Sequence, residues 1–384
     1  MLKRRAMSAA TKAGANIPER SLWQDEQRHT SALGCWRCPE LGTCGALAVA
    51  AGLLSCLDLC CGIPHRCDKP CRNNPDFPLR VREIGGFSLD NVPRASVLTP
   101  PRLPLVIPML FHGDSREGLL PSDIVALPLY KLFHRPTGLL RFESYQALCT
   151  AFRLAPGTRV VLTGTDQDPP LERWWGYEGR RREIIRGLRA LGIAFATTPN
   201  FSLFVDVPRH VDLHAMKRIG LVHAEFLKEG MPTALHVNGR TETDFRRWAA
   251  YVRARPEITD IAYEFTTGTS RAARRDFHVD WLTRIAKEAG RPVGLIVRGG
   301  IDVLPKLVAI FNRVSVLETQ SFMKTMKRQR AVIHSNGDLR WNSAPTPPGA
   351  PLDELLAFNM GEIRRWIEAH ASVPAVPSVM AAAE

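Results

Sequence analysis

The sequence predicts an α/β fold, a (β/α)8 TIM-like barrel, and three observations carry that expectation. Eight short apolar runs rich in Val, Ile and Leu follow one another between positions 103 and 321. Amphipathic stretches of helical length separate most of them. No Gly-x-Gly-x-x-Gly follows the first run, which argues against a dinucleotide-binding sheet. Continuous apolar strands alternating with helices signal a parallel sheet covered on both faces, and eight in one order suit a closed barrel. A doubly wound open sheet is the alternative.

The runs are LPLVIPML from Leu103, IVALPLY from Ile124, RVVLTGTD from Arg159 and GIAFATTPN from Gly192. PTALHVNG from Pro232, ITDIAYEFTTG from Ile258, RPVGLIVRGG from Arg291 and RVSVLETQS from Arg313 complete the set. Between the first two, residues 111–123 are too few for a good helix, so the barrel is expected to be irregular there. After the fifth, Thr241-x-x-Asp244 has the form of a capping box, and Phe245, Trp248 and Val252 then share one helix face until Pro256. Phe277, Trp281 and Ile285 repeat that spacing in the next helix. An earlier helix carries Ile184, Ile185 and Leu188 on one side and Arg180, Arg181, Arg182, Arg186 and Arg189 on the other, a face read as solvated. AVIHSNGDLRW reads as a hairpin turning at Asn336-Gly337. The barrel with this hairpin is expected over 103–342, a Pro-rich linker over 343–351 and an amphipathic helix over 352–371, with a disordered tail over 372–384.

Ahead of the barrel the composition is different. Residues 1–30 read as a disordered basic tail and 78–102 as a proline-rich linker. Between them, residues 31–77 hold eight of the nine cysteines: Cys35, Cys38, Cys44, Cys56, Cys60, Cys61, Cys67 and Cys71. The opening residues lack the apolar core of a secretory signal, so the cytoplasm is the expected compartment, and thiols there stay reduced. The apolar run 45–57 is too short to span a bilayer. Pairs of thiols two to five residues apart can aim at one ion, and their softness favours zinc or an iron–sulfur cluster. Cys35-x2-Cys38-x5-Cys44 resembles the last three ligands of the iron–sulfur loop in a group of DNA glycosylases, without the upstream fourth ligand.

A barrel's chemistry sits at the C-terminal ends of its strands. Those ends carry polar groups that a core would refuse: Asp166 and Asp168 after the third run, Asn200 after the fourth, His236, Asn238 and Arg240 at the fifth. Glu264 ends the sixth, Arg298 the seventh and Glu318 the eighth. Asp166, Glu264, Glu318 and His236 are the catalytic candidates. A Glu264–Arg298 salt bridge of purely structural role is the competing reading for that pair. Asp166 with Asp168 also gives a Mg²⁺ expectation. Arg298-Gly299-Gly300 and Lys324 suggest a phosphate site, since glycines admit backbone N–H groups to an anion and loops seven and eight often hold one. Asn200, Asn238 and Asp168 complete the expected substrate contacts.

TTPNFSLF with Pro208 after it, MKRI from Met216, ALHVNGRT, YEFTTG and LIVRGG together resemble an uncharacterised bacterial family, a domain of unknown function met in plasmid and phage neighbourhoods. The resemblance covers about 160–330. It implies a mobile-element setting and no catalytic residue.

The net charge of +13, from 51 Lys+Arg against 38 Asp+Glu, favours anionic partners. The expected function is thus a metal-containing barrel enzyme acting on a phosphorylated small molecule, a nucleotide or nucleic acid, away from membranes. A non-catalytic DNA- or RNA-binding protein and an iron–sulfur redox protein are the alternatives. The sequence sets neither the reaction nor the oligomeric state.

Overall fold

The structure, a computed structural model, describes residues 77–134, 136–204, 209–266 and 272–372. The basic tail, the cysteine-rich module with its eight thiols, and the end of the chain from 373 lie outside the described residues.

All eight apolar runs form strands of one parallel sheet. These are β1 (Val106–Pro108), β2 (Ile124–Pro128), β3 (Arg159–Thr163), β4 (Phe195–Thr197), β5 (Thr233–His236), β6 (Asp260–Glu264), β7 (Gly294–Arg298) and β8 (Arg313–Glu318). The strand order is β1-β8-β7-β6-β5-β4-β3-β2, so consecutive strands are neighbours. β1 pairs with β8 in the register Ile107↔Leu317. The last gap closes through a parallel bridge between Met109 and Ala126, with Leu110 N–H donating to the Ala126 carbonyl at 2.9 Å. The result is a nearly closed TIM-like barrel, not an open doubly wound sheet.

Alternation along each strand makes two cores. Ile107, Met109, Ala126, Val161, Phe195, Ala234, Ala262, Ile296 and Leu317 form the interior cluster. Alanines from three strands leave room there for the fully buried Phe195 ring. The other parity, such as Val125, Val160, Leu235 and Val297, faces the helices. At the floor, three strand-opening residues meet. Arg313 forms an ion pair with the fully buried Asp260, and Gly294 between them has no side chain to intrude.

The helices are α1 (Phe77–Glu83), α2 (Tyr145–Phe152), α3 (Asp168–Gly176), α4 (Arg180–Ala190), α5 (Arg209–Lys228), α6 (Glu242–Ala254), α7 (Ala272–Glu288), α8 (Leu304–Ile310), α9 (Gln320–Met326) and α10 (Asp353–Ala371). No helix joins β1 to β2, as the spacing predicted. α6 opens on the predicted capping box: Asp244 N–H donates to Thr241 Oγ1 at 3.3 Å, and Thr241 N–H to Asp244 Oδ2 at 3.0 Å.

Two segments behave differently from their sequence reading, and a third completes the barrel. The stretch expected as a linker buries Ile84, Phe87, Leu89 and Val92, and Arg255 ties it down by donating to the carbonyls of Leu89, Asp90 and Val92. The arginines of α4 are not simply solvated. Arg181 makes a two-pronged pair with Glu225 at 2.8 and 2.7 Å, and Arg182 reaches Glu229 at 2.5 Å, so this face pins α4 to α5. α10, read as an amphipathic helix, packs on β1 and α8 and so takes the place of the eighth barrel helix. The α9 helix and the hairpin of β9 (Gln329–Ile333) and β10 (Leu339–Ser343) are then an insertion before it. Buried Asn359 on α10 locks it there through Ala331 N–H, Thr325 Oγ1 and the Gln329 carbonyl, each at 2.8 Å.

Among the described residues, no helix is long and apolar enough to cross a membrane.

Candidate active site at the barrel mouth

The C-terminal ends of the strands open into a cleft of about 700 Å³. Asp166, Asp168, Asn200, Glu264 and Arg298 all line it, so five sequence-selected residues from four strand ends converge. Thr165 and Lys131 stand beside them.

The loop after β3 is drawn tight by Gly164. A Cβ there would lie 2.4 Å from the Thr198 backbone, so only glycine lets the third and fourth loops touch. Gly164 N–H donates to Thr197 Oγ1 at 3.0 Å, and its carbonyl accepts from the buried Tyr130 hydroxyl at 3.1 Å. Thr165 and Asp166 follow on this fixed turn. Asp166 Oδ1 accepts the Gln167 N–H at 2.7 Å. Asp168 opens α3 and accepts from Ser202 Oγ at 2.5 Å.

Glu264 and Arg298 are register partners on β6 and β7, which sets them side by side. Arg298 Nε lies 2.6 Å from Glu264 Oε2. Glu264 Oε1 accepts from the Thr266 N–H at 2.9 Å and from the Thr266 hydroxyl. The carboxylate is only 5% exposed, and these partners offset the cost of burying its charge. The pair is thus both closed as an ion pair and open to the cleft on its Arg298 side.

His236, at the end of β5, is buried beneath the mouth. Its Nδ1 is 2.7 Å from the Thr198 carbonyl, which can only accept. Nδ1 therefore carries the proton, and Nε2 is the acceptor 3.3 Å from Thr165 Oγ1. Burial pushes the imidazole down to about 4, so it is neutral at physiological pH. Asn238 donates through Nδ2 to Asn200 Oδ1 at 3.1 Å, and its carbonyl accepts the Trp248 indole N–H at 2.8 Å.

Other sequence-selected residues lie elsewhere. Leu317 faces the barrel interior, so its neighbour Glu318 points outward. There Oε1 accepts the Ser321 N–H at 2.8 Å and Oε2 the Ser321 hydroxyl, at the start of α9. Burial raises its pKa, opposed by those hydrogen bonds. Lys324 sits over the Trp341 ring at 5.5 Å, on the hairpin. Gly299 and Gly300 have φ of 77° and 70°, and a Cβ on Gly300 would lie 2.6 Å from the Phe265 ring. Their glycine character is accounted for by this turn. Among the described residues, no group of three or more His, Cys, Asp or Glu side chains comes together as a metal site.

Sequence reasoning passed over three residues. Thr165 stands next to Asp166, whose carboxylate drew the notice. Arg274 and His278 are one helical turn apart on α7 and reach the mouth together. Their i, i+4 spacing was the available signal.

No protein-family model matches the chain, and no curated protein matches it.

Proposed function

We propose that the barrel mouth is the active site of an enzyme that performs acid–base chemistry on a phosphorylated substrate of nucleotide size. One observation carries this reading: Asp166, Glu264 and Arg298 converge on a single open cleft with neutral His236 beneath it. A scaffold has no need of carboxylates and an arginine lining one cleft of about 700 Å³, a volume within the usual range for small-ligand sites. Asp166, on a loop fixed by Gly164, is the base or nucleophile. Glu264 is held by Arg298 as the partner carboxylate, and Asn200 and Asn238 orient the substrate.

The test is a calorimetric panel of nucleoside monophosphates and sugar phosphates against the full chain, with turnover of any binder followed by NMR. Asp166→Asn is expected to keep the dissociation constant within about threefold and to slow turnover by about 10²–10⁴-fold. A panel with no binder, or turnover unchanged in Asp166→Asn, overturns the reading.

The eight clustered cysteines support a second proposal, a zinc or iron–sulfur centre ahead of the barrel. Metal and sulfide assays on protein purified without oxygen test it, and metal-free protein with all thiols titratable refutes it. The net charge of +13 favours a nucleic-acid substrate or partner for that module. The α4 arginines give it no support, since Arg181 and Arg182 are committed to Glu225 and Glu229.

A further inference from the structure

Next to the open cleft lies a second, smaller space of about 60 Å³. The two share Asn200, Ser202 and Glu264 as walls. The far side of the small pocket is built by Asn238, Arg240, Arg274 and His278. We propose that this inner pocket is an oxyanion site that takes the phosphoryl group of the substrate. The inference rests on the enzymatic reading of the mouth and puts the anion beside β5 and β6, not at Gly299-Gly300.

The donors are of the right kind. Arg240 and Arg274 bring two guanidiniums, and the two asparagines bring amide N–H groups. Asn200 already accepts from Asn238 through Oδ1, so its remaining offer is its Nδ2 donor. Arg240 is fixed in advance, because its Nε and Nη2 donate to the Leu203 carbonyl, with the Nε contact at 2.6 Å. Such preorganisation lowers the ordering cost of binding.

The local potential points the same way. Burial, then Arg274 and Arg240, hold the His278 imidazole down to about 3. Burial is the larger cause, and the two guanidiniums beside the ring add to it. Among the described lining residues, Glu264 is the one carboxylate, and it is paired with Arg298 at 2.6 Å.

Size divides the substrate between the two spaces. At about 60 Å³ against about 700 Å³ for the cleft, the inner pocket suits a compact tetrahedral oxyanion and not the bulkier part of the substrate. The remainder of the substrate must then lie in the larger cleft, past Glu264 and toward Asp166. The β7 loop competes poorly for the anion. Gly299 and Gly300 are packed on Thr266 and Phe265, and Lys324 is turned to Trp341.

The test uses inorganic phosphate with the full chain. Calorimetry on wild type, Arg274→Met, Arg274→Lys and Lys324→Met gives affinities, and imidazole NMR follows His278, assigned through His278→Gln. Arg274→Met is expected to weaken phosphate by about tenfold to a hundredfold, with partial recovery in Arg274→Lys. Lys324→Met is expected to stay within about threefold, and the His278 signals to move on titration of wild type. Loss of phosphate binding in Lys324→Met with Arg274→Met unaffected would move the anion to the loops after β7 and β8; it overturns this inference and leaves the enzymatic reading standing. His278 signals that stay still at saturating phosphate also overturn it, whatever the variants do. Failure of the enzymatic reading is a separate result, read from Asp166→Asn turnover.

Discussion

His236 Nδ1 donates to the Thr198 carbonyl at 2.7 Å, which leaves Nε2 to accept from Thr165 Oγ1 at 3.3 Å. The polarity of the chain is therefore fixed: carbonyl, imidazole, hydroxyl. Thr165 spends its proton inward and turns lone pairs to the cleft, where it can accept from a substrate N–H or O–H. The expected ¹⁵N spectrum of His236 is that of the neutral Nδ1–H tautomer from pH 8 to pH 5. An Nε2–H tautomer, or titration near 6.5, would contradict the arrangement.

Four buried histidines make stability depend on acid. Burial pushes His214, His223 and His236 down to about 4 and His278 to about 3, from 6.5. Protons then bind the unfolded chain more tightly than the folded one, so stability is full above about 6.5 and is lost as pH falls toward 4. Each group contributes a slope of up to about 1.4 kcal/mol per pH unit in that window. Urea midpoints measured from pH 7.5 to 4.5 should fall steeply. His223→Gln, remote from the mouth and able to keep a donor on the Thr233 carbonyl, should remove about a quarter of the slope. A flat profile would refute the assignment.

Most of the barrel was legible because its signal is periodic and local. Each of the eight apolar runs became a strand, and Thr241-x-x-Asp244 capped its helix as read. The site was legible only where position in the strand implied position in the mouth. Asp166, Glu264 and Arg298 met that condition. Glu318 did not, because one step of strand parity separates the interior from the helix layer, and Leu317 holds the interior place. Lys324 and the α4 arginines were read from charge alone, and charge does not say which partner a folded chain supplies. Glu225, Glu229 and Trp341 are far in sequence from the cations they hold. Arg274 and His278 escaped for the opposite reason: nothing marks a polar helix residue as facing a pocket until the next strand is placed.

The barrel floor should be the least tolerant place for an added methyl. A Cβ at Gly294 would come 2.1 Å from Asp260 Oδ1 and 2.9 Å from Arg313 Nη2. Asp260 is fully buried, so displacing its carboxylate from Arg313 strands a charge in the interior. Gly294→Ala is expected to cost about 3 kcal/mol, between the usual penalties for overpacking and for a broken buried ion pair. Arg365→Ala removes the exposed surface pair with Glu362 and should cost less than about 0.5 kcal/mol. Denaturant midpoints of the two variants check the contrast, and equal losses would show that the floor pair is not structural.

Glu318 separates a capping role from a catalytic one. Its carboxylate accepts from both the Ser321 N–H and the Ser321 hydroxyl, and burial raises its pKa. Removing the acceptor leaves the first turn of α9 with an unmet buried donor, so Glu318→Ala should cost about 1–2 kcal/mol. Glu318→Gln keeps a carbonyl oxygen for the Ser321 N–H and removes a buried charge. Its stability at pH 7 should stay within about 1 kcal/mol of the parent. Neither change touches the cleft, so phosphate affinity should be the same in both variants as in the parent. A catalytic acid behaves otherwise: the amide would abolish its proton transfer while leaving the fold intact. Denaturation and ligand titration on the two variants distinguish the outcomes, and a Glu318→Gln protein that is stable but inactive on a substrate found in the panel would return this residue to the mechanism.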